Sequence, residues 1–259
     1  MQQKKYGVLT LAERASGLAY EVIACEKTAI TAEIPEYIDG KCVIAISDYA
    51  FEKCDLLEKV SFCEGEKSVA EGVYISTPWD FCGFEIGEYA FSYCKALKGI
   101  ELPEYVTTVG RGAFYRCTAL EYARFSDMAF VGSYAFAGCT ALTEVTSVST
   151  VSEGVFSYCE ALKDFPVTDK VTEISEDAFE HCNSFTDITV PRGVKLIEPL
   201  AFRGCASLKS VRFEETEGWY MTSVYRDGRF ELDLTDPEKN AEMLARMDFD
   251  DGVAGWHRE

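Results

Sequence analysis

The sequence lacks any run of eighteen apolar residues, so no segment of its 259 residues is predicted to span a bilayer. Basic residues are also scarce, because 25 lysines and arginines stand against 44 aspartates and glutamates, which gives a net charge of -19. Such a surface repels phosphate backbones and anionic lipids. We therefore expect no nucleic-acid partner and no membrane insertion.

Histidine is nearly absent, and so are the common catalytic motifs. Only His181 and His257 occur, and a Ser-His-Asp or Cys-His site would have to use one of them. The sequence contains no nucleophile elbow, Walker loop, dinucleotide-binding glycine motif, zinc-protease motif or EF-hand loop. We therefore expect no enzymatic activity and no cofactor. His181 is interpreted as a surface residue and His257 as part of terminal packing.

Close cysteine pairs are missing, although eleven cysteines are present. Structural zinc sites need pairs such as Cys-x-x-Cys, whereas the nearest cysteines here are Cys54 and Cys63, so no metal site is predicted. The odd number of thiols and an N-terminus without a secretory signal favour a reducing compartment. We expect a cytoplasmic protein, with a cell-surface or secreted protein as the alternative if a leader was trimmed. A Cys63–Cys82 disulfide belongs to that alternative.

What the sequence does contain is a repeat of about 22 residues that occurs seven times. Each copy has a phenylalanine, a cysteine three residues later and a leucine or phenylalanine three residues after that. The phenylalanines are Phe51, Phe91, Phe114, Phe136, Phe156, Phe179 and Phe202, and the cysteines are Cys54, Cys94, Cys117, Cys139, Cys159, Cys182 and Cys205. One unit is too small to bury its apolar side, so the units must stack into a solenoid.

Two periods are mixed inside each unit. The alternation in Ile100-Glu101-Leu102 predicts a short half-buried strand, and the spacings of three from Phe114 through Cys117 to Leu120 predict a tight helical or 3₁₀ turn. Because the repeat cysteines recur at one phase, they are predicted to form a column of small, buried, reduced side chains.

One stretch carries a resemblance to a known family. The segment Ile86-Gly-Glu-Tyr-Ala-Phe-Ser-Tyr-Cys-Lys-Ala-Leu-Lys-Gly-Ile-Glu-Leu-Pro103 resembles the BspA-like leucine-rich repeats, the treponemal type with a period near 23. The resemblance implies an α/β leucine-rich-repeat solenoid with short parallel strands. It also implies a bacterial, non-catalytic interaction module that binds a protein or glycan partner, often in adhesion. An intracellular scaffold or assembly subunit is the alternative function.

The chain is predicted to have three regions. Residues 1–45 form an N-terminal β cap, residues 46–213 contain the seven repeats, and residues 214–259 form a C-terminal strand-plus-helix cap. In that cap, Phe230–Leu234 is predicted as a strand, and a capping box at Thr235–Glu238 is predicted to open a helix that ends at Met247. An insert at about 63–84 is either a loop or a degenerate repeat.

Outward-facing strand residues are the predicted partner-binding surface. Residues that flank the inward apolar positions of a strand point outward. Among them, Tyr122 and Arg124 are of types that are enriched at protein interfaces. The outward residues Glu101, Glu144 and Asp164 extend this row to both sides. Ordinary solvated strand residues are the alternative interpretation.

Two further groups of aromatic residues need an interpretation. Trp79 and Phe81 lie in the insert and would anchor a partner if they are exposed. Folding of both rings back onto the core is the alternative, since large aromatic side chains are mostly buried. Tyr49, Tyr89 and Tyr134 precede the Ala-Phe step of their repeats and are interpreted as a structural ridge.

Overall fold

A computed structural model of the chain describes residues 3–63, 83–223, 229–246 and 253–259, without the side chains of residues 253 and 254. These residues contain twenty strands and one helix. They are β1 (Gln3–Tyr6), β2 (Leu9–Glu13), β3 (Ala19–Cys25), β4 (Thr31–Pro35), β5 (Tyr37–Ile38), β6 (Lys41–Ile46), β7 (Lys59–Cys63), β8 (Phe84–Ile86), β9 (Gly99–Glu101), β10 (Val106–Val109), β11 (Tyr122–Arg124), β12 (Phe130–Val131), β13 (Glu144–Val145), β14 (Glu173–Ile174), β15 (Asp187–Val190), β16 (Leu196–Ile197), β17 (Ser210–Phe213), β18 (Trp219–Ser223), β19 (Arg229–Glu231), α1 (Pro237–Ala245) and β20 (Val253–Arg258).

Two ladders of short strands run along the solenoid axis. One ladder has the order β1-β2-β3-β6-β8-β10-β12 and is parallel from β3 onward, and the other has the parallel order β4-β7-β9-β11-β13. The pairs β14–β16 and β15–β17 add parallel strands in the C-terminal half. The predicted solenoid of short parallel strands with a cap at each end is confirmed, and it has about eight turns.

The third side of each turn is the tight turn around the phenylalanine, and we call it the turn side. There Tyr89 and Tyr93 donate their backbone N–H groups to the carbonyls of Arg111 and Tyr115 in the next turn, at 2.8 Å each. Both donors have a positive φ, 53° and 60°. A left-handed conformation costs a non-glycine residue about 1–2 kcal/mol, which the bonds to the next turn offset. The same two positions have a positive φ in the other turns, at Tyr49, Lys53, Gly112, Arg116, Tyr134, Gly138, Gly154, Tyr158, Asp177, His181, Leu200 and Gly204.

The repeat phenylalanines form the centre of the core. Their seven rings make one continuous stack in which successive ring centroids lie 4.6–5.8 Å apart. All seven side chains are fully buried. Stacked aromatic pairs at this distance contribute about 0.5–1.5 kcal/mol to stability beyond the burial of their area. The stack therefore stabilises the packing of each turn on the next.

The cysteine column makes hydrogen bonds that the sequence does not reveal. Cys139 Sγ donates to the carbonyl of Phe114 in the preceding turn at 3.2 Å, and that carbonyl also accepts the backbone N–H of Cys117 at 3.1 Å. Equivalent thiol bonds of 3.1–3.3 Å are made by Cys94, Cys117, Cys159, Cys182 and Cys205. Burial raises the pKa of the thiols of Cys117 and Cys205 to about 12. These thiols are therefore protonated donors at neutral pH.

The turns before and after the predicted insert are in direct contact. Strand β6 pairs with β8 through Ile46 and Ile86, and the rings of Phe51 and Phe91 stack at 4.6 Å. No solenoid turn therefore separates these two described turns. Residues 64–82, with Trp79, Phe81 and Cys82, lie outside the described residues.

The N-terminal region combines antiparallel and parallel pairing. Strands β1, β2 and β3 are antiparallel neighbours, whereas β3 pairs with β6 and β4 pairs with β7 in parallel. Residues 19–35 thus contribute one strand to each ladder and form an additional turn upstream of the first predicted repeat.

The C-terminal region closes the solenoid with a sheet and a helix. Strand β20 lies between β16 and β18 and is antiparallel to both. The predicted capping box at Thr235 is wrong, because the N-cap is Asp236, whose carboxylate accepts the N–H groups of Glu238 and Lys239. Thr235 instead donates its hydroxyl to Asp233, and α1 ends at Ala245. No helix in the described part of the chain is long and apolar enough to cross a membrane.

Candidate functional site

The ladder β9-β11-β13 brings four of the predicted site residues together. Its register places Arg124 opposite Glu101 and places Tyr122 opposite Glu144. Arg124 donates from Nη1 to Glu101 at 2.7 Å and from Nε to Glu144 at 2.8 Å. We call this set, Glu101, Tyr122, Arg124 and Glu144, the strand-side surface.

The charges of the strand-side surface are balanced within the molecule. Hydrogen bonds to Glu144 and then Glu101 raise the pKa of Arg124, and the guanidinium in turn lowers the pKa of Glu144. All three side chains are more than half exposed, at 51% for Arg124, 64% for Glu101 and 58% for Glu144. Solvent screens such pairs, so they orient the side chains more than they stabilise the fold.

The ring of Tyr122 lies flat across the neighbouring strand. A Cβ atom at Gly99, its register partner in β9, would lie 2.1 Å from Cζ of Tyr122. The absence of a side chain at Gly99 therefore makes room for the ring. The guanidinium carbon of Arg124 lies 4.8 Å from the ring centroid, which adds a cation–π contact.

A groove opens beside this ring. Among the described residues, β7 and β9 form one ladder pair, Lys59 with Gly99, whereas β9 and β11 form three. Beyond that pair, the two strands leave a groove of about 730 Å³ between them. We call it the strand-side groove, and its lining residues are Glu58, Lys59, Val60, Ser61, Phe62, Lys98, Gly99, Glu101, Leu102, Pro103, Glu104 and Tyr122.

Asp164 does not join the strand-side surface through strand pairing. It is exposed but lies outside the strands, and its neighbour Pro166 is buried rather than outward-facing. The interruption follows the short step of 20 residues between Phe136 and Phe156. Trp79 and Phe81 lie outside the described residues, so their role stays a prediction.

The turn side carries a second set of aromatic residues. Tyr49 stacks on Tyr89 with ring centroids 5.5 Å apart. A Cβ atom at Gly112, the equivalent position of the next turn, would lie 2.4 Å from the ring of Tyr89. The Tyr134 ring stands in the same relation to Gly154, at 2.2 Å. In the predicted stripe of tyrosines, Tyr89 and Tyr134 are thus each followed in the next turn by a glycine that makes room for the ring.

A further groove, of about 440 Å³, opens on the turn side around Gly138. The position equivalent to Gly138 is Arg116 in the preceding turn and Tyr158 in the following one. A Cβ atom at Gly138 would lie 2.9 Å from Cγ of Arg116, so the glycine makes room for the Arg116 side chain. We call this groove the turn-side groove, and it is lined by Tyr115, Arg116, Thr118, Tyr134, Ala137, Gly138, Thr140, Ser157, Tyr158, Glu160 and Glu180. In the sequence, the sign of this groove is a glycine at a repeat position whose residue type varies from copy to copy.

Glu180, which lines this groove, is a buried carboxylate paired with the half-exposed Arg203. The side chain of Glu180 is 7% exposed, accepts from Arg203 Nε at 2.9 Å and accepts the hydroxyl of Ser157 at 3.1 Å. Nearby, Oδ1 of Asp177 is buried and has no hydrogen-bond partner among the described residues. Burial, followed by the charge of Glu180, raises the pKa of Asp177.

The two histidines have packing contacts. His181 stacks on Tyr158 at 4.7 Å between ring centroids, and His257 stacks on Tyr220 at 5.4 Å within the C-terminal sheet. Among the described residues, no group of three or more histidine, cysteine or carboxylate side chains has the arrangement of a metal site.

Comparison with protein families gives one match that covers most of the chain. The model described as "BspA type Leucine rich repeat region" matches in six copies, over residues 31–79, 83–184 and 145–224. No curated protein matches the sequence.

Solved structures show similarity to bacterial leucine-rich repeat proteins. The leucine-rich repeat protein of T. pallidum is 21% identical, with 82% of this chain and 84% of that chain covered and a TM-score of 0.52. A leucine-rich repeat protein of Bacteroides ovatus is 20% identical, with 82% and 71% covered and a TM-score of 0.43. At these identities the likeness to the T. pallidum protein extends to the fold alone.

Proposed function

The chain belongs to the BspA-type leucine-rich repeat family, and on that premise we propose that it is a non-catalytic interaction module that binds a protein partner through its strand-side surface and groove. Repeat solenoids present extended surfaces on rigid strands, and that arrangement suits recognition. The observation that carries the proposal is the strand-side groove, because Tyr122 and Glu101 line it and Arg124 lies next to them on the same ladder.

The lining of the strand-side groove has the composition of a protein interface. Apolar groups of Phe62, Leu102 and Tyr122 lie between charged residues of both signs, such as Lys98 and Glu104. Interfaces typically combine an apolar centre with a polar rim, and tyrosine and arginine often contribute most of the binding energy. The mixed charge favours a partner that offers both acidic and basic side chains.

The test compares two double variants in affinity capture from host and bacterial extracts. Tyr122→Ala with Arg124→Ala removes the ring and the guanidinium of the strand-side surface. Asp187→Ala with Thr189→Ala alters two exposed residues at equivalent positions of β15, away from the groove. Binding of each captured protein is then measured with the purified components.

The expected result is a protein whose affinity falls by more than about 1 kcal/mol in the Tyr122/Arg124 variant. The Asp187/Thr189 variant should bind it like the unaltered chain, and both variants should have nearly unchanged melting temperatures. Equal affinity of all three chains for every captured protein would refute the strand-side surface as the binding site.

A further inference from the structure

Strands β7 and β9 separate after one ladder pair, although each is well paired on its other side. Strand β7 forms five pairs with β4, and β9 forms three pairs with β11. Among the described residues, only the pair Lys59–Gly99 joins β7 to β9. The two strands therefore meet at this pair and diverge toward their C-terminal ends. The strand-side groove between them is a cleft that is closed at Lys59 and Gly99 and open at the other end.

The backbone of β7 directs hydrogen-bonding groups into the cleft. Alternate residues of a parallel strand direct their N–H and C=O groups to opposite neighbours. Lys59 donates its N–H on the β4 side, so Val60 and Phe62 face β9. The pair Ser61–Glu101 would bond the C=O of Val60 and the N–H of Phe62 to Glu101, but it is not formed in the described part of the chain. These two groups are therefore available to an added strand.

The opposite wall of the cleft does not complete the ladder. Leu102 donates its N–H to the carbonyl of Arg124 in β11 at 2.8 Å, so Glu101 is the residue that faces β7. The next residue with this orientation is Pro103, which has no N–H to donate. Phe62 lines the cleft and stays partly exposed, whereas Leu102, at the equivalent position of the next turn, is 7% exposed. The cleft therefore combines an apolar ring with a strand edge.

The lining carries opposite charges at the two ends of the cleft. Lys59 and Lys98 lie at the closed end, and Lys98 is bonded to Glu58 at 3.0 Å. This end therefore has one positive charge in excess, and Lys59 is exposed. Glu104 lines the open end and is also exposed. A ligand that complements both ends is negative beside Lys59 and positive beside Glu104.

A peptide strand in this cleft must end at the closed end, because Lys59 and Gly99 are already joined there. A terminal carboxylate forms a charge-assisted hydrogen bond with the ammonium group of Lys59, whereas a terminal ammonium group is repelled by it. Each strand residue rises by about 3.3 Å, and Glu104 follows Gly99 by five residues. A basic side chain about five positions before the carboxylate therefore lies near Glu104.

We propose that the strand-side groove binds the C-terminal tail of a partner protein as an extended strand antiparallel to β7. The terminal carboxylate lies at Lys59, a basic side chain lies at Glu104, and the tail's backbone bonds to Val60 and Phe62. Addition of a strand to an exposed sheet edge is a general way to bind peptides. This inference rests on the proposed function, and it specifies which part of the partner the groove recognises.

The experiment offers the full chain two pools of N-acetylated octapeptides of random sequence. The pools differ only at the C-terminus, which is a free carboxylate in one and an amide in the other. Captured peptides are identified by mass spectrometry, and fluorescence anisotropy measures the Kd of the most enriched one. Lys59→Gln removes the cation, and Glu104→Lys reverses the charge at the open end. The matched control is Lys209→Gln, at an exposed lysine that does not line the groove.

The expected result is capture from the carboxylate pool of peptides with lysine or arginine about five positions before the C-terminus. Lys59→Gln should weaken binding of such a peptide at least about fivefold, and Lys209→Gln should leave it unchanged. Glu104→Lys should weaken binding of the same peptide and improve binding of a version with glutamate in place of the basic residue. Melting temperatures verify that all three variants are folded.

The proposal is overturned if the carboxylate pool gives no enriched peptide, or if folded Lys59→Gln binds like the unaltered chain. Equal capture from the amidated pool also overturns it and assigns the cleft to an internal segment of a partner. The failure of this inference is distinguishable from failure of the proposed function. A captured protein whose affinity falls in the Tyr122/Arg124 variant supports the proposed function even if no C-terminal peptide binds.

Discussion

A cysteine at the repeat position has two roles, because its thiol fills a small space in the core and donates to a phenylalanine carbonyl of the preceding turn. Alanine would leave part of the space empty and the thiol's hydrogen bond unmade, whereas serine would keep a donor in a smaller side chain. The choice between an apolar role and a donor role can therefore be tested by substitution at a single residue.

For Cys139 we expect Cys139→Ala to lower the free energy of unfolding by about 1–3 kcal/mol, through lost packing and the lost bond to Phe114. Cys139→Ser should lower it by less, because the hydroxyl can donate to the same carbonyl. Urea denaturation followed by circular dichroism measures both. A serine variant less stable than the alanine variant would show that the apolar character of the thiol dominates.

The carboxyl group of Asp177 is placed where its charged form is disfavoured. Since its pKa is raised in the folded chain, its contribution to stability is present below the unfolded pKa of about 3.9 and is lost as the pH rises through the folded pKa. Asp177→Asn removes that loss and tolerates the φ of 57°. We expect the variant to be more stable at pH 7, by less than about 1 kcal/mol.

This gain should disappear at about pH 3, where Asp177 is protonated in both states. Thermal unfolding at several pH values measures the difference between the two chains. The burial argument fails if the advantage is the same at pH 3 and pH 7.

Strands β9 and β11 have complementary side-chain sizes at Gly99 and Tyr122. Gly99→Ala should destabilise the chain by about 1–3 kcal/mol, because the new methyl group overlaps the ring of Tyr122. In a Tyr122→Ala background, the same substitution should cost less than about 1 kcal/mol, since the overlapping ring is gone. Chemical denaturation of the four chains in this cycle provides the measurement. Equal costs in both backgrounds would place the strain elsewhere.

The strands and turns of the repeats could be predicted from the sequence, because apolar residues recur at the same positions of every repeat unit and those positions must be buried. Alternation alone also placed Glu101, Tyr122 and Arg124 on the outward face. The two grooves did not follow from the pattern, because each depends on a glycine that lies between larger residues of neighbouring turns. Gly99 makes room for Tyr122, and Gly138 makes room for Arg116, and each partner belongs to a neighbouring turn. A pattern analysed within one repeat unit does not include contacts between units. The N-cap was misplaced by one residue because Thr235 and Asp236 are both good capping residues.

At the scale of the whole solenoid, its C-terminal end is closed by the last described strand. Strand β20 pairs on both sides, and Trp256 is 1% exposed against Phe213 and the adjoining sheet. Removal of residues 253–259 should lower the free energy of unfolding by at least about 3 kcal/mol and should expose apolar surface and strand edges. Calorimetry and light scattering after size exclusion measure stability and self-association.

Removal of residues 1–6 is the matched control, because β1 is an edge strand whose side chains are mostly exposed. We expect that truncation to change stability far less and to leave the chain monomeric or in its original oligomeric state. Similar losses from both truncations would mean that β20 has no special part in closing the solenoid.

Six similar phenylalanine pairs and six similar thiol bonds raise the question of what prevents one turn from docking on the wrong neighbour. The interior does not distinguish the turns, so a chain that skipped one turn while folding would still find matching rings and donors. The large-on-glycine pairs outside the core do distinguish them, since Tyr89 fits over Gly112, Tyr134 over Gly154 and His181 over Gly204. A chain that skipped the turn of Gly154 would bring the Tyr134 ring against Asp177 instead of a glycine. These pairs therefore specify the order of assembly, and a duplicated turn would be tolerated only where it preserves them.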